Sequence, residues 1–378
     1  MDNMTKEKIV FFGLSSEGYS LASQMVINGA DVQIIDESSA TAILLKPETA
    51  KTYTNVTSLR EDEPLLGMEP SNVAISKAKY LFFTPRIRKT GQDLKTEVNS
   101  KFKDAVGALK KDSSIINCLA TGFGGNNENI SLLKHITGYN VGEEISYFYF
   151  PLNDLNNTPD VIGSLKQTGE KKLLSLLKLD KKEKKFVDIS SAEYLHAIYT
   201  IQKFSSLCSV LEVCKFVKND ARHTKLFNDF KDLYLDDMIT GLYDLRMLGS
   251  SFESAQTLMY LINGSVRGIS SYVKRLIDTI RLTLKKNDLK ASKTKIVLSW
   301  TLDTNEMRGD KIEMLNTIAS KLRDYIGDVE TSTGSVELFH HDKVTIVVAC
   351  SDSDYKEIKE NQKGEDIFVI KANPLCEI

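Results

Sequence analysis

The sequence predicts an α/β protein: an N-terminal doubly wound sheet domain, a helical middle with one long helix, and a second, smaller α/β domain closing the chain. Three observations predict it. Lys8 to Glu37 reads as strand, Gly-rich turn, helix, strand and acidic residue. Strand and helix patterns then alternate to about residue 165, and this order implies a parallel sheet. From Ser190 the texture becomes continuously helical, and alternation resumes at Lys295.

The first unit carries the clearest chemistry. Ile9 to Phe12 is a short apolar run of the kind a buried parallel strand requires. Gly13, Ser15 and Gly18 fall in the places of the three glycines of G-x-G-x-x-G, and Val32 to Ile35 leads to Asp36. In a Rossmann-type dinucleotide site the first Gly makes the tight turn and the helix N-terminus faces the pyrophosphate. The acidic residue takes the ribose hydroxyls. Ser15 departs at the Gly that lets backbone approach phosphate, and many βαβ units carry such a turn without a nucleotide. Asp36 argues for NAD over NADP, because a carboxylate repels a 2′-phosphate.

The segment from Asp36 to about Glu69 is polar and weakly patterned. Tyr80–Phe83 is the next strand and stops at Thr84-Pro85; residues 93–109 have helical spacing. Ser114–Leu119 is a strand, followed by a loop at 120–126 too Gly-rich for regular structure. Tyr147–Phe150 and Val161–Gly163 complete the strands. Residues 166–190 read as a short helix and a linker. The lysines between Lys181 and Lys185 could bind phosphate, but interleaved acids favour a solvated helix end. Residues 191–217 form one long helix, capped by Ser190 or Ser191, with helices at about 221–248, 252–263 and 268–286 after it. Lys295–Trp300, Val344–Ala349 and Ile367–Ile370 are the strands of the last domain, with helices near 309–326 and 353–360.

Composition narrows the function. The chain has 378 residues, net charge −2 and 26% charged residues, which gives no reason to invoke nucleic acid or an anionic membrane. No apolar stretch approaches a membrane span, and the polar start is not that of a signal peptide. The five cysteines include no C-x-x-C pair, and three of them, Cys118, Cys208 and Cys350, sit in apolar segments and fit reduced core residues of a cytoplasmic protein. The pair His340-His341 beside Asp342 reads as a turn rather than a metal site, since adjacent strand residues point to opposite faces.

In this order the segments resemble the UDP-glucose/GDP-mannose (nucleotide-sugar 6-) dehydrogenase family, as a divergent member. Val161-Ile162-Gly163 is similar to the strand closing that family's first domain. Ser191-Ala192-Glu193 is similar to its S-A-E, and Glu212 falls at its Asn-Glu pair. Gly249-Ser250-Ser251-Phe252 resembles its G-S-C-F loop, and Trp300 to Arg308 (WTLDTNEMR) its F-K-P-N-T-D-D-I-R. The resemblance implies an NAD-binding Rossmann-like domain at 1–188, a helical dimerisation domain at 189–290 and a Rossmann-like nucleotide-sugar domain at 291–378. It implies an NAD set of Gly13, Ser15, Gly18, Asp36, Thr84, Pro85 and Thr121, with Arg308 on the nucleotide-sugar side, and a homodimer.

The family oxidises a sugar C6 alcohol through a cysteine-bound thiohemiacetal, and there this chain departs. The nucleophile position holds Ser251, the helix lysine falls at His196, and its partner asparagine falls at Thr200. A glutamate position holds Leu152, and the third-domain lysine falls at Thr301. Loss of one oxyanion donor typically costs about 2.7–4 kcal/mol, so the full set of replacements implies weak or no 6-dehydrogenase activity. Two other readings stay open. One is an active NAD-dependent dehydrogenase of altered chemistry with His196 as acid/base, set against a buried, hydrogen-bonded helix histidine. The other is a non-catalytic scaffold. A Ser251–His196 nucleophile pair is weighed and set below an ordinary loop serine.

Overall fold

The computed structural model describes residues 7–62, 66–89, 93–152, 159–166, 170–177, 184–216, 232–251, 257–332, 343–361 and 367–375. The His340–Asp342 turn, Phe252 and Lys181 to Glu183 of the lysine run lie outside them. The chain forms two compact units, residues 1–199 with 305–309, and residues 200–304 with 310–378.

The first unit begins with β1 (Lys8–Phe12), α1 (Ser16–Ile27) and β2 (Asp31–Asp36). It continues through β3 (Thr41–Leu45), α2 (Pro47–Thr52), α3 (Val56–Glu61), β4 (Met68–Pro70), α4 (Ser71–Lys77) and β5 (Tyr80–Phe83). Then come α5 (Asp93–Val106), β6 (Ser114–Asn117), α6 (Gly125–Thr137), β7 (Ser146–Tyr149), β8 (Val161–Ser164), α7 (Lys171–Leu176) and β9 (Lys185–Asp188). Among the described residues these strands make one nine-stranded sheet in the order β4-β3-β2-β1-β5-β6-β7-β8-β9. The centre, β2-β1-β5-β6-β7, is parallel. Its strands β1, β5 and β6 are buried on both faces, which explains their short apolar runs. Phe11 and Phe82 stack across the β1/β5 pair at 4.6 Å between ring centroids.

The expectation of a wholly parallel sheet fails at the edges. β3 and β4 run antiparallel beside β2, and β8 runs antiparallel to β7. The segment read as weakly patterned hides β3, which pairs with β2 and β4 and whose TAILL run is only partly buried. β9, parallel to β8, was hidden in the lysine-rich linker. Helix α6 starts inside the Gly-rich loop, at Gly125, after Gly124 takes the left-handed φ of 72°. β1 pairs with β2 on one side and β5 on the other, so the chain reverses direction there. The C-terminal ends of β1 and β5 flank the crevice where ligands of such sheets bind.

The long helix α8 (Ile189–Val213) begins two residues earlier than expected. Asp188, not a serine, caps it: its carboxylate accepts from the backbone N–H and the hydroxyl of Ser191. Within the second unit follow α9 (Leu235–Ile239), α10 (Leu242–Ser250) and α11 (Thr257–Lys286). The two helices expected at 252–263 and 268–286 are this single 30-residue helix. Its interior Gly268 meets α8: a Cβ on it would lie 2.5 Å from Cys208 Sγ. Among the described residues no helix is long and apolar enough to cross a membrane.

The second sheet is wholly parallel, β11-β10-β12-β13, built from β10 (Thr294–Ser299), β11 (Val329–Ser332), β12 (Val344–Ala349) and β13 (Ile367–Lys371). α12 (Asp310–Arg323) and α13 (Asp352–Asn361) accompany it. At the end of β10 the fully buried Trp300 donates its indole N–H to Asp236 at 2.8 Å, the polar partner a buried indole needs.

The α8–α11 contact makes a prediction. Gly268→Ala overpacks the crossing, which typically costs about 1–3 kcal/mol, while helix propensity returns about 1 kcal/mol. The single variant should lose roughly 1 kcal/mol in urea unfolding followed by the fluorescence of Trp300. Adding Cys208→Ala, which removes the obstructing sulfur, should restore that loss.

Candidate functional site

The candidate site is the strand-end crevice of the first unit. At its base Gly13, with φ of +113°, follows β1, and a Cβ there would lie 2.3 Å from the Thr84 carbonyl oxygen. A Cβ on Gly18 would lie 2.5 Å from Thr84 Oγ1. Both glycines therefore serve the close approach of the Thr84-Pro85 loop to the start of α1. Ser15 is fully buried and caps α1. Its hydroxyl donates to the Thr84 carbonyl at 2.8 Å and accepts from the Gly18 N–H at 3.2 Å. The serine that breaks the glycine pattern thus stitches the turn to the neighbouring loop, and the structure brings Gly13, Ser15, Gly18, Thr84 and Pro85 together.

Asp36 ends β2 beside them, with its carboxylate already engaged. Oδ1 accepts from the Ser38 N–H and hydroxyl and from Arg86 Nη2 at 3.4 Å, and Oδ2 accepts from Arg60 Nη2 at 3.2 Å. Burial pushes its pKa up, but the Ser38 hydrogen bonds and the two guanidinium charges outweigh it and hold the carboxyl below its usual range. The argument that Asp36 repels a 2′-phosphate is weakened accordingly, because two arginines flank it. Neither arginine stood out in the sequence: Arg60 lies on the unpredicted α3, and Arg86 follows the strand stop. Next to them a cavity of about 620 Å³ is lined by Phe12, Ile35, Glu37, Ala40, Glu97 and Lys101, among others.

Thr121 sits in the loop after β6. Its Oγ1 accepts from Asn126 Nδ2 at 3.0 Å. The loop is held by Glu193, from the first turns of α8: its carboxylate accepts from the backbone N–H of Gly124 (3.0 Å) and Asn126 (3.2 Å) and from Asn126 Nδ2 (2.7 Å). A buried carboxylate on the start of α6 satisfies orphan donors and complements the helix dipole.

Arg308 lies with this set. Residues 305–309 belong to the first unit and cross the start of α1 as a strap. The Asn305 carbonyl accepts from the Ser16 N–H at 2.9 Å. The Met307 N–H donates to Glu17 Oε2 at 2.9 Å, and Arg308 Nη1 stands 4.0 Å from Glu17 Oε1. Ile87 N–H donates to the Met307 carbonyl (2.7 Å) and Arg88 to the Glu306 carbonyl (2.8 Å). Arg86 and Thr57 hold the Asn305 side chain. Glu17, a buried acid in the first turn of α1, passed unremarked in the sequence, where it falls at an unspecified x of the glycine motif.

These observations test the fit of a dinucleotide. Gly13, Gly18 and Thr84 give the tight turn and close packing that one requires. The phosphate position does not fit in this conformation: a carbonyl holds the first-turn amide of Ser16, and the Glu17 carboxylate adds negative charge where the pyrophosphate would sit.

Five positions differ from the resembled family: His196, Thr200, Leu152, Ser251 and Thr301. His196 is buried and meets Tyr149 edge-on, 6.5 Å between ring centroids. Thr200 is buried on the same helix. Leu152 is buried, its backbone N–H donating to the Cys118 carbonyl. In the second unit Ser251 follows α10 and its hydroxyl donates to the Met247 carbonyl at 2.9 Å. Thr301 donates its amide (3.0 Å) and hydroxyl (2.6 Å) to Asp354. Among the described residues no group of three or more His, Cys, Asp or Glu is placed to hold a metal ion.

Glu193 gives the test of this architecture. Leaving buried amide donors unsatisfied costs about 1–3 kcal/mol, so Glu193→Ala should lower Tm by roughly 2–12 °C for a unit of this size. Glu193→Gln, which keeps an acceptor oxygen, should recover part of that loss; differential scanning calorimetry reads both.

No protein-family model matches the chain, and no curated protein matches it by sequence. Solved structures do resemble it in fold. A UDP-D-ManNAc dehydrogenase from Pyrococcus horikoshii superposes with a TM-score of 0.67 at 14% identity, covering 98% of this chain and 100% of that one. A UDP-glucose dehydrogenase from Pyrobaculum islandicum gives 0.60 at 12%, covering 98% and 87%. The UDP-N-acetyl-mannosamine dehydrogenase from Staphylococcus aureus gives 0.59 at 14%, covering 96% and 97%. Over nearly its whole length, this chain has the fold of these UDP-sugar dehydrogenases.

Proposed function

We propose that this protein is a nucleotide-sugar dehydrogenase homologue that keeps a nucleotide site in its first unit and has given up the four-electron oxidation of a sugar. The cofactor of that site is a nicotinamide dinucleotide, NAD on the sequence reading, which when bound would accept hydride. The ligand of the second unit is a UDP-sugar by analogy with the fold, and Arg308, Thr84 and Asp36 are the residues nearest the nucleotide chemistry.

The observation that carries the loss of catalysis is the state of the thiols. Covalent capture of an aldehyde needs a thiolate, and Ser251 supplies only a hydroxyl held by a helix carbonyl. Another cysteine cannot stand in among the described residues. Burial pushes the thiols of Cys118, Cys208, Cys214 and Cys350 all above their ordinary pKa, so each stays protonated and poorly nucleophilic at neutral pH. Thr301 likewise gives its hydroxyl to Asp354 rather than to a ligand.

A homodimer accords with the large apolar side chains exposed on and after α8 and on α11, Phe216 and Tyr260 foremost. A cytoplasmic location is part of the same reading.

The test is calorimetry with NAD, NADP and a panel of UDP-sugars, followed by absorbance at 340 nm with each pair. The expected result is binding of a dinucleotide without NADH formation above the uncatalysed background. Steady NADH production that survives Ser251→Ala and is abolished by His196→Ala would replace this reading with an altered two-electron dehydrogenase.

A further inference from the structure

We infer that the strap at Asn305–Arg308 is a built-in competitor for the phosphate position of α1, and that a dinucleotide enters only when the strap is released. This rests on the nucleotide-site reading above and adds to it a gate within the chain itself.

The geometry is specific. An anion at a helix N-terminus is held by the free N–H groups of the first turn and by the positive end of the helix dipole. Here the strap takes both. The Asn305 carbonyl accepts the Ser16 amide at 2.9 Å, as a phosphate oxygen would. The Glu17 carboxylate supplies the negative charge in the first turn, and the strap holds it through the Met307 amide at 2.9 Å and Arg308 at 4.0 Å. An Arg–carboxylate pair thus stands where an arginine could face a diphosphate.

The strap is also anchored away from α1, so it is not a loose loop resting on the turn. Ile87 and Arg88 grip the Met307 and Glu306 carbonyls. A Cβ on Gly309 would lie 3.0 Å from the Ile87 carbonyl oxygen, so the chain passes close to the 84–88 loop. The anchors reach the ribose end of the site too. Arg86 donates to the Asn305 side chain at 3.4 Å and to Asp36 at 3.4 Å. One guanidinium therefore spans the strap and the carboxylate that would take the ribose hydroxyls, and freeing Asp36 for a ribose loosens the same arginine from the strap.

A ligand that must displace an internal partner loses affinity by the fraction of time the site is open. Weakening the strap should therefore raise affinity, the opposite of what loss of a binding residue does. Two variants weaken it at different points. Asn305→Ala removes the Arg86 and Thr57 anchors and leaves the α1 turn unaltered. Glu17→Gln removes the charge from the first turn and keeps an acceptor for the Met307 amide.

The experiment is isothermal titration of the full chain and both variants with NAD and with NADP. It is paired with hydrogen exchange of the segments that contain Ser16 and Met307; near-wild-type Tm for at least one variant establishes folding. The expected result is weak binding by the wild type and at least tenfold tighter binding by each variant, with exchange at both segments faster in the variants and faster in the wild type on saturation at residues 305–308. Faster exchange with unchanged or weaker affinity overturns the competitor role and leaves the nucleotide site standing. Tight wild-type binding while residues 305–308 stay protected does the same. Absence of binding in all three proteins overturns the competitor and the dinucleotide reading together.

Discussion

The first unit depends on how closely one loop approaches one helix end. Thr84 lies so near Gly13 and Gly18 that a single added carbon at either would fall within 2.5 Å of it. That closeness is what Ser15 exploits: a hydroxyl one bond long reaches the Thr84 carbonyl while capping α1. A third glycine would leave the helix end free for a ligand. A buried serine commits it to the protein. The departure from the glycine motif thus retains the packing of the turn and adds a side-chain cap to α1.

The remaining alterations follow the same direction. Charged groups that a nucleotide site would keep for its ligand are spent inside the chain, Asp36 on two arginines and a serine and Glu17 on the strap. Each such pairing relieves the cost of burying an unpaired polar group or charge. The result is a chain with the fold of UDP-sugar dehydrogenases in which Asp36 and Glu17 are engaged by groups of the protein itself.

How much of this could be read from the residues depends on the range of the cause. The strands at Tyr80–Phe83 and Val344–Ala349 match their apolar runs residue for residue, because burial on both faces writes itself into consecutive positions. The strand Thr41–Leu45, next to the edge strand, is only partly buried and leaves no such signature. The helices expected at 252–263 and 268–286 prove to be the one helix α11, and its Gly268 packs on Cys208, a tertiary contact that no local pattern marks. The glycine turn and Asp36 were legible as a site because their spacing is local. Its partners were not: Arg60 and Arg86 lie 24 and 50 positions from Asp36, Asn305 lies 289 positions from Ser16, and no local pattern marks them.

That separation has a consequence in time. The amide of Met307 and the carboxylate of Glu17 lie 290 residues apart in sequence. At a synthesis rate of about 5–20 residues per second, α1 emerges roughly 15–60 s before the strap that covers it exists. During that interval the nascent first unit carries an acidic helix end without its cover, and contacts of such long range are among the last that folding rewards. A ribosome that stops before residue 305 releases a sheet in which Ser16 and Glu17 have never met the partners that Asn305 and Met307 provide.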